Sequence, residues 1–257
     1  MQNLRISLVQ AALHWEDKTA NLDAFTRRLA PLSGLTDLIV LPEMFTTGFS
    51  MNPSQLAEPT EGPTLEWMAR QAANTGAAIT GSFIALVEGR YYNRLVWMQP
   101  DGAFFTYDKR HLFTLAGEHQ HYAPGNSRLV VEWKGWTILP LICYDLRFPV
   151  WSRNVESYDL LIYVANFPER RSHAWKSLLI ARAIENQVYT IGVNRVGVDG
   201  NGVSHAGDSM LVDFQGQIQY LLSHQEGLFT TTLARNLQQN FREKFNFLAD
   251  QDRFSII

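Results

Sequence analysis

Cysteine is almost missing from this chain: Cys143 is the only one in 257 residues. A single thiol excludes an internal disulfide, and with it the small stapled folds of secreted domains. An excess of either charge is missing too. Lys and Arg number 22 against 25 Asp and Glu and are scattered, so no basic stripe is present to bind nucleic acid or an anionic membrane. No apolar run approaches a membrane span, and the opening Met1-Gln2-Asn3-Leu4-Arg5 lacks the apolar core of a signal peptide. Short repeats and low-complexity segments are also lacking. These absences leave a protein expected in the reducing cytoplasm, with small molecules as its natural partners.

What is present is an ordinary globular composition, 46% hydrophobic and 18% charged, on a length that suits one large domain or two small ones. Leu4, Ile6 and Leu8 alternate with Arg5 and Ser7, a strand buried chiefly on one face. Lys18 to Leu32 carries Leu22, Phe25 and Leu29 on one helical stripe, and Asp37 to Leu41 is a short apolar strand. Strand, helix and strand of this length imply a parallel pair, which places Glu43 at a carboxyl end, where open α/β sheets carry their ligands. A loop from Thr46 to Gly62 precedes a helix opened by Pro63 and closed by Gly76. Strands at Ala77 to Leu86, Tyr91 to Met98 and Ala103 to Asp108 form an antiparallel meander. The irregular stretch Arg110 to Asn126 is rich in aromatics, which favours a functional loop.

The second half repeats this plan. A hairpin, Leu129 to Trp133 and Trp136 to Cys143, is followed by a helix near Val150 to Val155 and an apolar strand, Tyr158 to Val164. The helix His173 to Gln187 leads into the strand Val188 to Asn194. A second meander is expected near Asp208 to Phe214, Gln217 to Leu222 and Leu228 to Leu233, then a helix, Leu237 to Phe245, and an irregular tail. Two sheets packed face to face with helices outside both would bury these strands on both faces.

Cys143 falls where the strand Trp136 to Ile142 gives way to a helix that Pro149 suits as first residue. Alone, a cysteine beside Leu and Ile reads as a small buried hydrophobe. Glu43 and Lys109 stand at matching strand ends, and each alone reads as an exposed charge. Together they suggest a thiol whose ionisation a neighbouring cation favours and whose proton a carboxylate takes.

The three surrounding segments, Leu41-Pro42-Glu43-Met44-Phe45, Tyr107-Asp108-Lys109-Arg110-His111-Leu112-Phe113 and Ile142-Cys143-Tyr144-Asp145-Leu146-Arg147-Phe148-Pro149, resemble the signature segments of the nitrilase superfamily. The likeness extends through Tyr92-Asn93, Pro124-Gly125, Ala165-Asn166-Phe167-Pro168 and Ala181 to Gln187, essentially the whole chain, and is strongest to the omega-amidase branch. It implies an α/β fold, a four-layer α-β-β-α sandwich of two mixed sheets with helices outside, as one domain over residues 1–257, commonly homodimeric. It implies Cys143 as nucleophile, Glu43 as general base and Lys109 as electrostatic stabiliser, with Glu118 matching a second glutamate that orients Lys109 or the substrate. The implied substrates are 2-oxoglutaramate and 2-oxosuccinamate, cleaved without metal or cofactor.

For substrate binding, the resemblance points to the Tyr144 backbone N–H as an oxyanion donor and to Asn166 and Phe167 as pocket lining. Many relatives carry Trp where this chain has Phe167. Arg147 is the candidate for the substrate's distal carboxylate, in competition with pairing to Asp145 or Glu185. Other clusters read as structure. His119 and His121 lack a third metal ligand at a recognised spacing, Asp199-Gly200-Asn201-Gly202 is a turn, and Trp133, Trp136, Trp151 and Trp175 are core. Arg182 and Glu185 suit a pair on one helix. Two alternatives stay open: another amidase, nitrilase or carbamoylase of the superfamily, and a catalytically silent interaction protein of the same fold.

Overall fold

The first strand is the place to see why two sheets form. In β1 (Leu4–Gln10), Leu4, Ile6 and Leu8 enter one apolar cluster while Val9 enters another, and Ser7 between them is fully buried. The strand is therefore covered on both faces rather than one. Ser7 tolerates this because its hydroxyl pairs with that of Thr230 at 2.7 Å.

The computed structural model describes residues 2–252, 254 and 255; Met1 and, in the expected tail, Arg253, Ile256 and Ile257 lie outside the described residues. The remaining strands of the first half are β2 (Leu38–Val40), β3 (Glu58–Pro59), β4 (Ala78–Val87), β5 (Arg90–Met98) and β6 (Phe104–Asp108). Those of the second are β7 (Val131–Trp133), β8 (Trp136–Ile142), β9 (Leu160–Ala165), β10 (Tyr189–Asn194), β11 (Val196–Val198), β12 (Ser204–Val212), β13 (Ile218–Ser223) and β14 (Gly227–Leu233). One sheet runs β14-β1-β2-β4-β5-β6 with β3 beside β4, the other β11-β12-β10-β9-β8-β7 with β13 beside β12. Both are mixed: β1, β2 and β4 are parallel, as are β8, β9 and β10, and the meander strands are antiparallel.

Leu8, Val40, Leu95 and Trp97 of the first sheet share a cluster with Leu139, Leu141, Leu161 and Tyr163 of the second, which is the seam between the sheets. On the outer face of the first sheet, Val9, Ile39 and Leu41 meet Phe25 and Leu29 of the helix Lys18–Leu29 and Leu65, Met68 and Ala72 of the helix Pro63–Thr75. Trp175 and Leu179 of the helix Ser172–Asn186 cover the second sheet. The result is the expected helix-sheet-sheet-helix sandwich. Each fully buried Leu or Ile contributes on the order of 2 kcal/mol, so the strand-rich seam is the principal source of stability.

Four features differ from the sequence expectations. The second meander is not completed, because β14 crosses to the first sheet and pairs antiparallel with β1 from Leu4↔Leu233 to Gln10↔Gly227. This covers an edge that β1 would otherwise leave open. β11 was not anticipated, and the helix after Cys143 is only Pro149–Ser152, preceded by a tight turn over Cys143–Arg147. The loop Thr46 to Gly62 contains the short helix Pro53–Leu56 and β3. Trp136, Trp151 and Trp175 are core, Trp133 packs at its margin, and Arg182 pairs with Glu185 at 3.0 Å.

Candidate active site

Four chain segments deliver polar side chains to one place from the ends of strands in both sheets. Glu43 follows β2, Lys109 follows β6, Cys143 follows β8 and Asn166 follows β9. Two of these turns are backbone-strained. Met44 and Cys143 both lie in the left-handed region, at φ 42°. For non-glycine residues this costs about 1 kcal/mol or more and persists only where the surroundings hold it. Around Met44 the holding group is Ser82, whose hydroxyl and carbonyl accept the N–H groups of Met44 and Phe45 at 2.8 and 3.0 Å. Around Cys143 it is Asp145, whose carboxylate accepts the Ile142 N–H at 3.1 Å, the Tyr107 hydroxyl at 2.7 Å and the His111 N–H at 3.0 Å. Asp145 thereby ties the turn bearing Cys143 to the segment bearing Lys109.

The site is a dense charge cluster. Lys109 Nζ donates to Glu43 Oε1 at 2.9 Å and to both oxygens of Glu118 at 3.0 Å. All three side chains are buried. Asn93 Nδ2 donates to Glu43 Oε1 at 2.8 Å and reaches Glu118 Oε1 at 3.5 Å. Glu43 is held from its other side by the Asn166 N–H, 2.7 Å from Oε2, while Asn166 Nδ2 donates to the Glu43 carbonyl at 2.6 Å. Glu118 comes from the short helix Glu118–His121 within the long loop, and its Oε2 accepts the Phe113 N–H at 2.5 Å. That loop closes against Lys109 through Gly125, whose N–H donates to the Lys109 carbonyl at 2.9 Å. A Cβ at Gly125 would sit 2.1 Å from the Asp108 carbonyl oxygen, so no other residue allows this approach.

The electrostatics follow from burial. Desolvation works against the Lys109 ammonium, but Glu118 and Glu43 outweigh it and hold Lys109 above its ordinary range. Burial, with the Glu43 charge adding to it, raises the Glu118 carboxyl against the pull of Lys109. Burial and the Glu43 carboxylate also push the Cys143 thiol well above its ordinary value, with Lys109 opposing. Lys109 thus favours the thiolate, as expected from the sequence, but burial and the Glu43 charge outweigh it. A thiol held in this way is a poor nucleophile unless a neighbouring base takes its proton, and Glu43 is the carboxylate beside it.

Cys143, Lys109, Asn166 and Phe167 line a cavity of about 130 Å³, and Tyr144 and Arg147 stand on its wall. Asn166 holds Glu43 as well as lining the cavity. Phe167 is buried against Trp175 at 5.2 Å between ring centres, and Asn194 clamps its main chain by accepting its N–H at 2.8 Å and donating to its carbonyl at 2.9 Å. Arg147 pairs with neither Asp145 nor Glu185, which are engaged by His111 and Arg182. His119 and His121 are exposed. Sequence reasoning missed the contacts of Asn93 and Asn194 and the presence of Arg170 and Arg171 on the cavity lining. Only Asn93 carried a signal, in the Tyr92-Asn93 pair.

A carbon-nitrogen hydrolase family model matches residues 5–243. The chain belongs to the carbon-nitrogen hydrolase family. It is 48% identical over 259 residues to the omega-amidase YafV of Escherichia coli (strain K12), covering all of both chains. To the 2-oxoglutaramate amidase of Bacillus subtilis (strain 168) it is 30% identical over 250 residues, 95% of this chain and 96% of that one. In structure it superposes on XC1258 of Xanthomonas campestris, a CN-hydrolase superfamily protein with an arsenic adduct in its active site, with a TM-score of 0.98 at 49% identity over the full length of both. The chain is an enzyme, an amidohydrolase that stands among the omega-amidases of the nitrilase superfamily. Among the described residues no helix is long and apolar enough to cross a membrane.

Proposed function

We propose that this omega-amidase hydrolyses the terminal amide of 2-oxo dicarboxylic acid monoamides, 2-oxoglutaramate and 2-oxosuccinamate, to the 2-oxo acid and ammonia through a thioester on Cys143. The observation that carries the reading is the buried Glu43–Lys109 pair beside Cys143, on a cavity that is also lined by Arg147, Arg170 and Arg171, none of which forms an ion pair among the described residues.

Each group has one task. As sulfur attacks the amide carbon, Glu43 takes the thiol proton, and the carbonyl oxygen becomes an oxyanion. Lys109 Nζ and the Tyr144 N–H donate to that oxygen, a contribution of about 3 kcal/mol per donor. Glu43 then returns the proton to the amide nitrogen, the carbon–nitrogen bond breaks, ammonia leaves and the thioester remains. Water attacks the thioester while Glu43 accepts its proton, the carbon–sulfur bond breaks, and the proton passes back to the sulfur. Glu118 keeps the Lys109 ammonium in place throughout, Asn166 and Asn93 fix the Glu43 carboxylate, and Phe167 walls the cavity. Arg147 and its neighbours at the mouth attract the substrate's distal carboxylate. A homodimer belongs to the same reading, supported by exposed Val150, Val155 and Ile184 and measurable by sedimentation.

The test is ammonia release from 2-oxoglutaramate, with intact-mass detection of an acyl adduct after acid quench. Turnover without any adduct on Cys143, or full turnover in Cys143→Ala, refutes the thioester route.

A further inference from the structure

Three arginines, Arg147, Arg170 and Arg171, line the mouth of the cavity above Cys143. They differ in surroundings. Arg147 and Arg170 are exposed, whereas Arg171 is half-buried. The Arg171 guanidinium carbon lies 4.7 Å from the centre of the Phe113 ring and 5.7 Å from that of Phe167. Arg147 has one such neighbour, Phe167 at 6.0 Å. The main chain of Arg171 is pinned as well, its N–H donating to the Pro168 carbonyl at 2.9 Å just before the helix Ser172–Asn186.

Among the described residues no acid pairs with Arg171. Glu169 faces Ser204 and His224, and Asp199, the acid on the cavity mouth, uses Oδ1 to accept the N–H groups of Asn201 and Val203 at 2.9 Å. Burial and the positive charge of Arg170 lower the pKa of Arg171, with Arg147 adding to the repulsion. A guanidinium in that position gains most from an incoming anion.

We propose that Arg171, held between Phe113 and Phe167, is the specificity-determining residue that binds the substrate's distal carboxylate, with Arg147 acting from the rim. The inference rests on the substrate class proposed above. Two aromatic rings beside the guanidinium restrict its movement, so less freedom is lost when it forms a paired N–H contact with a carboxylate, and they shield such a pair in part from water. The more exposed Arg147 acts through a screened medium and contributes attraction rather than a fixed geometry.

The discriminating quantity is the ratio of kcat/KM for succinamate, which carries the carboxylate, to that for butyramide, which does not. The wild type is expected to favour succinamate. Arg171→Gln should reduce this ratio about 100-fold through KM, Arg171→Lys should leave it intermediate because charge survives without the planar fork, and Arg147→Gln should reduce it by less than about 10-fold. An unchanged ratio in Arg171→Gln, or a larger loss in Arg147→Gln, overturns the assignment while the substrate class stands. A wild type without preference for succinamate overturns both. If Arg171→Gln does not fold, Arg171→Lys decides alone: a reduced ratio supports the proposal and an unchanged one overturns it.

Discussion

The floor and the mouth of the cavity are both rich in charge, yet they are built on opposite rules. At the floor, Lys109 is surrounded by Glu43, Glu118 and Asn93, every distance is near 3 Å, and nothing is exposed. At the mouth, Arg147, Arg170 and Arg171 have no carboxylate partner among the described residues, and Arg147 and Arg171 lie against aromatic rings. A buried charge without partners is too costly to keep, so the floor must be complete before substrate arrives. A half-exposed cation can wait for its partner, so the mouth is completed by the ligand. The floor is thus suited to fixed geometry and chemistry, the mouth to selection.

The sharpest break in this contrast is at the proposed nucleophile. Cys143→Ala is expected to lower ammonia release at least about 10⁴-fold while leaving the thermal midpoint near that of the wild type, since one sulfur is removed from a site bounded by rigid strands. Next comes Lys109→Met, which removes an oxyanion donor and leaves two buried carboxylates facing each other. Activity should fall about 10³-fold, and denaturant unfolding should show a loss of about 3–5 kcal/mol, a stability cost not expected from Arg147→Gln at the mouth.

A pH effect of intermediate size comes from His205 on the cavity wall. Burial, reinforced by the charge of Arg195, lowers its pKa from 6.5 to about 4. The folded state therefore keeps it neutral where the unfolded chain already binds a proton. Stability from this group is full above pH 6.5 and is lost as pH falls toward 4, by roughly 3 kcal/mol in all. Urea midpoints measured across that range should fall less steeply in His205→Gln. The smallest effect belongs to Arg147→Gln, expected to raise KM for a carboxylate-bearing amide by only a few-fold, with the difference shrinking in 0.5 M salt. A large, salt-insensitive loss there would erase the distinction drawn between rim and anchor.

Much of this arrangement was legible in the chain because strand ends are local features. The strands ending at Leu41, Asp108 and Ile142 lead into Glu43, Lys109 and Cys143, and the structure brings the three together, with Lys109 and Cys143 lining one cavity. Glu118 was legible only by resemblance, since its position depends on how residues 110–126 fold back over Lys109. The pairing of β14 with β1 was not legible at all. A strand reads the same whichever sheet receives it, and the open edge of β1 that receives it lies more than 200 residues away.

By itself, then, the chain determined the strand and helix alternation, the two-layer core and the three candidate catalytic side chains at strand ends, because periodicity and strand termini are written in neighbouring residues. Tertiary structure decided the protonation of the site. Lys109 does favour the Cys143 thiolate, but folding also buries the sulfur and brings the Glu43 carboxylate beside it, and these push the thiol well above its ordinary value. It also decided which arginine is clamped, because Phe113 and Phe167 come from different loops 54 residues apart and meet Arg171 only once both sheets are assembled. Charge balance and aromatic clamping depend on distances between segments, and those exist only in the fold.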